Sequence, residues 1–381
     1  MTPQARAQAA IEILDQVIAA ARDEGPPADS LVTTYFKTRR YAGSKDRRAV
    51  RELVFAAIRH SADRPESGRA ALLPFAGELF DGSPHGPVPV SEGESGAEPG
   101  IVPAWLLSEL SPLVAVDRTL IERAPLDLRA KPPREPLLAE FPDAQPTRLS
   151  PWGLRLSADS RVTDHPAYLD GRVEVQDEGS QLIALACAPR DGELLIDLCA
   201  GAGGKSLALA AAAPGAEIIA CDTNRQRLSR LQPRALRAGA LMAVRLLDVP
   251  REAEALSDLR GRCDLVLVDA PCSGSGTWRR NPEGRWRMSP ERLERLLSLQ
   301  ARVLDLAAPL VKPGGRLVYA VCSLLSREGA GQAEQFLSRH SAYKVEDTRL
   351  AAGRFDGAGT LLTPGHDGTD GFYIARFGLH G

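Results

Sequence analysis

Leu194–Ser206, LLIDLCAGAGGKS, joins an apolar run ending in Asp197 to a turn of small residues and then to an alanine- and leucine-rich stretch. A short aliphatic run followed by glycines predicts a buried parallel strand that feeds a helix through a tight backbone turn. Three kinds of glycine turn compete for this description. A phosphate-cradling P-loop needs a glycine five positions before the Gly204-Lys205-Ser206 triplet, where Cys199 stands. A G-x-G-x-x-G dinucleotide turn starting at Gly201 needs its third glycine where Ser206 stands. What remains is a glycine-rich loop after an acidic strand end, or a turn that serves only strand-to-helix packing.

The next strand-like run, Glu217–Cys221, is closed by Asp222. A carboxylate there can accept hydrogen bonds from both ribose hydroxyls of an adenosine, while glycine lets the backbone approach a ligand. That combination fits S-adenosylmethionine, which has a ribose but no phosphate. Further strand-like runs follow at Ala243–Leu247, Asp264–Asp269 and Arg316–Val321, with helical runs between the earlier ones and a long helix over Glu291–Leu310. From about residue 173 this alternation predicts a doubly wound, mostly parallel sheet with ligands at the carboxyl ends of its strands. Asp197–Lys205, Asp222, Asp248, Asp269–Cys272 and Cys322 all fall at such ends.

Upstream, Ile11, Leu14, Val17, Ile18 and Ala21 recur at helical spacing over Gln4–Arg22, and Gly25-Pro26-Pro27 stops the helix. In Leu31–Arg59, Ser44 is a candidate cap for a helix with Val50, Leu53, Val54, Ala57 and Ile58 on one face. Lys37, Arg39, Arg40, Lys45, Arg47, Arg48 and Arg51 form a basic set that reads either as an RNA phosphate contact or as a solvated face. Glu78–Gly100, rich in Gly, Pro, Ser and Glu, reads as a linker or exposed loop, and Pro103–Arg123 as helical. Leu126–Val175 mixes short alternating runs with one helical stretch, Glu135–Phe141, which predicts a small α+β module. Its Arg129, Arg155 and Arg172 are candidates to face a nucleic acid. The domains are thus expected at 1–118, with a linker at about 78–100, then 119–172 and 173–381.

Composition sets outer bounds. With 381 residues, 44% hydrophobic and 25% charged, the chain has the make-up of a soluble globular protein of two or three domains. No apolar run approaches the ~20 residues of a membrane span, and MTPQARAQAA lacks a signal-peptide core, so a cytoplasmic protein is expected. The six cysteines show neither C-x-x-C nor Cys/His ligand spacing, which predicts free thiols and no metal. A formal net charge of −2 gives no whole-molecule case for nucleic acid, although local patches can supply one.

Two stretches carry chemistry. DLVLVDAPCSGSG, Asp264–Gly276, runs from a strand into Asp269, Pro271 and Cys272, and PGGRLVYAVCS, Pro313–Ser323, puts Cys322 just past the fifth strand. Two thiols and a carboxylate at neighbouring strand ends suit methylation of a pyrimidine at carbon 5. That carbon is a poor nucleophile until a thiolate adds to carbon 6, and a carboxyl group at N3 eases the addition. Afterwards the carbon-5 proton must leave and the thiol must be expelled, a task for a second acid/base group.

Over residues ~120–377 the chain resembles the Nop/Sun (RsmB-like) RNA 5-cytosine methyltransferases. The resemblance rests on VQDEGSQL at 175–182, DLCAGAGGKS at 197–206, DAPCSGSG at 269–276, RRNPEGRW at 279–286, PGGRLVYAVCS at 313–323 and DGTDGFYIARF at 367–377. It implies a Rossmann-like class I methyltransferase with a seven-stranded sheet, preceded by the α+β module and an N-terminal helical region similar to a shortened NusB-like domain. It implies that S-adenosylmethionine is held by Cys199, Ala200, Gly201, Ala202, Gly203, Gly204, Lys205, Asp222, Arg227, Asp248 and Asp269. It further implies Cys322 as nucleophile, Cys272 as the thiol assisting release, and Lys205 and Asp269 as catalytic. The family's glycine-loop proline is Ala202 here, and of the Glu-Asn-Glu usual after the second cysteine only Glu328 remains.

The leading expectation is therefore a monomeric RNA cytosine-5 methyltransferase acting on ribosomal RNA. A transfer-RNA or DNA methyltransferase is the alternative enzyme, since Pro271-Cys272 is also the nucleophile setting of DNA enzymes; Cys322 in its Val-Cys-Ser setting argues against it. A non-catalytic ribosome-assembly factor is the third reading. The arginines at 279, 280, 285 and 287, directly after the cysteine loop, are expected to face RNA.

Overall fold

The computed structural model describes residues 1–23 and 25–380. The chain divides into two compact units. The first takes Met1–Leu110, Ala115–Glu122 and Thr277–Pro290; the second takes Ser111–Val114, Arg123–Gly276 and Glu291–Gly381.

The first unit is helical: α1 (Pro3–Arg22), α2 (Ala28–Lys37), α3 (Ser44–His60) and α4 (Gly68–Ala76). The Thr2 hydroxyl caps α1 by accepting from the Ala5 amide at 3.1 Å, and its apolar stripe of Ile13, Leu14, Val17 and Ile18 is buried. The cap of α3 differs from expectation. Gly43 holds the cap position, and the carboxylate of Asp46 accepts from its amide at 3.3 Å. Asp46 also receives the N-terminal ammonium and Arg6, so its side chain ties the helix start together, and Ser44 is the first helical residue and not the cap. The Pro103–Arg123 stretch forms only 3-10 turns at Ala104–Glu109 and Arg118–Leu120, because Pro112 cannot donate in a helix that spans it. Residues 80–100 are irregular, as their composition predicts, yet tied down: Arg69 donates to Glu94 at 2.5 Å and to the carbonyls of Val88 and Pro89 at 3.0 Å each.

Thr277–Pro290 is built into this unit through its side chains. The Arg285 guanidinium, 1% exposed, donates to the carbonyls of Ile58 (2.6 Å), Ile101 (2.7 Å), Pro282 (3.1 Å) and Gly100 (3.2 Å). Trp286 donates to Ser61 O at 3.0 Å, and Arg287 to the carbonyls of Gly25 and Pro26. The Arg285 guanidinium is therefore an internal fastener of unit one, which corrects its expected place on an RNA-facing surface, whereas Arg287 is half-buried and its hydrogen bond to Pro26 is exposed.

The second unit contains both sheets. Strands β1 (Leu126–Ala130), β2 (Gln145–Pro146), β3 (Gly153–Leu156) and β4 (Val173–Val175) form an antiparallel sheet in the order β2-β3-β1-β4, with helix Glu135–Glu140 between β1 and β2. The larger sheet comprises β5 (Leu194–Asp197), β6 (Glu217–Asp222), β7 (Ala243–Leu246), β8 (Cys263–Asp269), β9 (Val311–Val321), β10 (Tyr343–Glu346), β11 (Arg354–Asp356), β12 (Gly359–Leu362) and β13 (Phe372–Leu379). Its path is β11-β12-β13-β9-β8-β5-β6-β7, with β10 also on β13. Strands β5 to β9 are parallel, and β13 is antiparallel to β9. The sheet is Rossmann-like; seven strands, β12 to β7 along the path, make its body, and β10 and β11 extend it to nine among the described residues. Order reverses on either side of β5, so the β5/β8 boundary is the switch point where such folds open a crevice. The buried central strands, Leu195, Ile218, Leu265, Leu267 and Val318 among them, pack with Leu182, Ile183 and Leu209 from the flanking helices.

The arginines of the small module do not face outward freely. Arg155 pairs with buried Asp127 at 2.7 Å, Arg172 pairs with Glu140, and Arg129 is buried. In VQDEGSQL, Glu178 accepts the amides of Leu149 and Ser150, and Gln181 bonds Ser150 and the Leu128 carbonyl. That motif seats the small sheet on the large one.

Candidate active site

Five parallel strands deliver their carboxyl ends to one edge of the sheet, and the expected site residues are collected there. After β5 the chain turns through Leu198–Gly203 into the helix Gly204–Ala212. Gly203 has φ +82° and caps that helix; a side chain there would sit 2.6 Å from Leu231, so the turn needs glycine on both counts. Asp222, at the end of β6, accepts from the Gly201 amide and from the Asn224 amide at 2.7 Å each, which fixes its carboxylate against the glycine loop.

At the ends of β8 and β9 the two thiols meet. Cys272 Sγ and Cys322 Sγ are 3.4 Å apart, and Lys205 Nζ donates to Asp269 Oδ2 at 2.6 Å. The Cys272 thiol is pushed well above its ordinary range by its hydrogen bond to Cys322 and by burial. Burial works against the Lys205 ammonium, but the charge and hydrogen bond of Asp269 outweigh it and hold the amine above its ordinary value, with Cys322 adding to the effect. Behind them Asp197 is fully buried, accepts from Ser206 Oγ at 2.7 Å, and is raised to about 7, chiefly by desolvation.

A cavity of about 470 Å³ opens over this edge, within the size range of small-molecule sites. Of the expected residues, Cys199, Asp222, Arg227, Asp269, Cys272 and Cys322 line it. Ala200, Gly201, Ala202 and Gly203 form the loop behind, Gly204 and Lys205 open the helix that follows it, and none of the six lines the cavity; Asp248 is exposed beyond β7 and does not line it either.

Sequence reasoning missed two contributors. Arg292, Leu296, Leu299, Val303 and Leu306 of helix Pro290–Ala307 form a wall of the cavity. Their alternating three- and four-residue spacing was visible, but a cavity-facing stripe has the same periodicity as a core-facing one. The second is the carboxylate of Glu328, fully buried, which accepts from the Ser273 amide (2.8 Å), Gln300 Nε2 (2.9 Å) and Ser323 Oγ (2.5 Å). Ser273 follows one thiol and Ser323 the other, so a single carboxylate joins the two cysteine loops. Gly276 and Gly371 back onto each other so closely that a Cβ on Gly276 would lie 2.0 Å from Gly371 O, which ties DGTDGF to the same loop.

Comparison with known proteins gives this arrangement its relatives. The family model described as 16S rRNA methyltransferase RsmB/F matches residues 184–378. Ribosomal RNA small subunit methyltransferase B of Erwinia tasmaniensis is 38% identical over 223 residues, 58% of this chain and 51% of its own length. The protein of the same name from Pasteurella multocida is 34% identical over 288 residues, 72% of this chain and 64% of its own. The chain thus spans between about half and two thirds of the length of these relatives. Among solved structures, PH0851 shares the fold at a TM-score of 0.76 and 21% identity, over 99% of both chains. NSun6 from Pyrococcus horikoshii with SFG does so at 0.62 and 18%, over 69% of this chain and 92% of that one. With half of its length matched by that family model, across the glycine loop and both cysteine loops, the chain belongs to the 16S rRNA methyltransferase RsmB/F family.

Proposed function

We propose that the chain is an S-adenosylmethionine-dependent RNA cytosine-5 methyltransferase acting on ribosomal RNA, with Cys322 as nucleophile and Cys272, Asp269 and Lys205 as its catalytic partners. The observation that carries this reading is the 3.4 Å approach of the two thiols beside the Lys205–Asp269 pair. Ribosomal RNA as substrate rests on the names of the relatives.

The residues fit the methyl donor: Asp222 lines the cavity with its carboxylate anchored by two backbone amides, so its remaining lone pairs are aimed for ribose hydroxyls, and Cys199 and Arg227 stand beside it. When bound, S-adenosylmethionine supplies an electrophilic methyl group on a sulfonium. Burial and the hydrogen bond to Cys322 keep the proton on Cys272, so its thiol can serve as the donor to the Cys322 sulfur, the attacking atom of this reading. That sulfur adds to carbon 6 of cytosine, and a proton moved toward N3 by the Lys205–Asp269 pair offsets the charge that develops on the ring. Carbon 5, now enamine-like, takes the methyl group. Water then takes the carbon-5 proton, the freed electron pair restores the ring double bond as the sulfur–carbon bond breaks, the proton at N3 returns to the Lys205–Asp269 pair, and the Cys272 thiol hydrogen-bonds to the departing sulfur.

The test separates the thiols. Each variant is incubated with target RNA and the methyl donor and run on a denaturing gel. Cys272→Ala is expected to accumulate a slow, nuclease-sensitive band, and Cys322→Ala none. The reverse pattern would make Cys272 the nucleophile, as in the DNA enzymes. No band from either variant, with folding and donor binding intact, would remove thiol addition from the mechanism.

A further inference from the structure

On the flank of the helix Gly204–Ala212 lies a second cavity, about 210 Å³, lined by Arg129, Lys131, Arg172 and Glu174 together with short side chains of that helix. Arg129 is 3% exposed, and its Nε donates to Gln176 Oε1 at 2.6 Å. Its two terminal amino groups have no hydrogen-bond partner among the described residues. Burial lowers this guanidinium to about 10, with Glu174 opposing the shift and Arg234 adding to it.

Glu174 sits opposite Arg129 in the β1–β4 register, but it does not neutralise it alone. Its two carboxylate oxygens are taken by Arg234, at 2.9 Å, and by Arg237. One carboxylate therefore faces three guanidinium groups, and Lys131 adds a further positive charge at the rim, where its ammonium donates to Ala238 O. Arg172 is matched by Glu140. A fork of free N–H donors on a buried arginine, with a local excess of positive charge, calls for an oxyanion, and the guanidinium geometry matches two oxygens of a phosphate group.

We propose that this cavity is an anion site that takes a phosphate group on Arg129, with Lys131 and Arg172 at its mouth. The phosphate can come from an RNA backbone or from the free anion. The first source rests on the reading of the chain as an RNA-acting enzyme; the site itself does not.

The experiment titrates the full chain with inorganic phosphate, following thermal unfolding and heat of binding against sodium chloride of matched ionic strength. Phosphate is expected to raise the melting temperature beyond the chloride control. Arg129→Met should abolish the effect, and Lys131→Ala/Arg172→Ala should shift its midpoint at least tenfold to higher phosphate. Where Arg129→Met fails to fold, the rim double variant decides. Absence of any phosphate-specific effect in the native chain, or an unaltered response in the rim variant, would overturn the proposal. A labelled RNA oligonucleotide then distinguishes the sources: displacement by phosphate from the native chain but not from the rim variant assigns the site to the RNA backbone, and phosphate binding without displacement assigns it to the free anion. Neither RNA nor methyl donor is present in the first titration, so its failure is separate from any failure of the methyltransferase reading.

Discussion

Glu328 Oε2 accepts a 2.5 Å hydrogen bond from Ser323 Oγ, one residue beyond Cys322, while its other oxygen takes the amide of Ser273, one residue beyond Cys272. The distance between the thiols is thus set by a carboxylate that touches neither. Glu328→Ala is expected to lower kcat about 100-fold, the scale of an ~1 Å misplacement of reacting groups, with little change in KM for the methyl donor. Glu328→Gln, which keeps one acceptor, should recover part of the loss. Single-turnover methyl transfer with both variants is the measurement, and equal rates for Glu328→Ala and the native chain would deny the carboxylate this role.

Asp222 has two tasks, holding the Gly201 amide and facing the cavity. Asp222→Ala removes both, at about 1–3 kcal/mol for a buried donor left without its partner, or roughly 5- to 150-fold in the Kd for S-adenosylmethionine. Calorimetric titration reads this directly. Asp248→Ala, at an exposed position, is expected to leave that Kd within about twofold.

Asp197 gives the fold a pH dependence of known sign. Its folded pKa, about 7, lies above the ordinary carboxylate value, so between roughly pH 4 and 7 the folded state holds a proton that the unfolded chain has lost. Stability from this group is therefore greatest below that window and falls as pH rises through it, by up to about 1.4 kcal/mol per pH unit. Asp197→Asn cannot titrate. Urea unfolding at pH 5 and pH 8 should show the native chain losing stability relative to the variant on going to the higher pH, and parallel behaviour of the two would disprove the assignment.

The basic residues of unit one separate into two groups. Arg39 lies over the Tyr35 ring and reaches Glu12, and the exposed Arg47 and Arg51 bond the Ala42 carbonyl and Asp29, whereas Lys37, Arg40, Lys45 and Arg48 are exposed without such partners among the described residues. Charge reversal of the exposed four should flatten the salt dependence of RNA binding, by about 0.7–0.9 in log–log slope for each phosphate that is no longer neutralised. Arg285→Met is the contrast: it should leave the slope unchanged and lower stability by several kcal/mol, because four carbonyls, two in buried and two in part-buried hydrogen bonds, would lose their donor. An altered slope with unaltered stability would return Arg285 to the RNA surface.

The large sheet is legible in the sequence because its information is local. The runs at β5, β6, β7 and β8 are apolar and short, each ends in or near an acidic or thiol residue, and parallel pairing needs nothing more to put those ends together. Arg285 is illegible for the opposite reason: its acceptors at 58, 100 and 101 lie 227, 185 and 184 residues upstream, and an arginine beside the cysteine loop reads as a nucleic-acid contact unless those carbonyls are known. Ser44 reads as the cap because a hydroxyl at a helix start is a common cap, whereas here Gly43 takes that position and Asp46, held by the N-terminal ammonium and Arg6, accepts its amide. Glu328 stands in a recognisable motif, but its ties to Ser273 and Gln300 exist only once β8, β9 and helix Pro290–Ala307 are side by side.

Because Thr277–Pro290 belongs to unit one while the residues on either side of it belong to unit two, no single cut separates the units. A fragment beginning at Arg123 would retain this segment and discard the groups that satisfy it: the carbonyls of Ile58, Gly100 and Ile101 for Arg285, and that of Ser61 for Trp286. Two large side chains that are 1–2% exposed in the whole chain would be left facing water, immediately downstream of the cysteine loop. Such a fragment is expected to aggregate even though every residue lining the thiol cavity is still present. The helical region is thus expected to keep the segment that follows Gly276 covered, and the smallest soluble form of this chain is expected to include it.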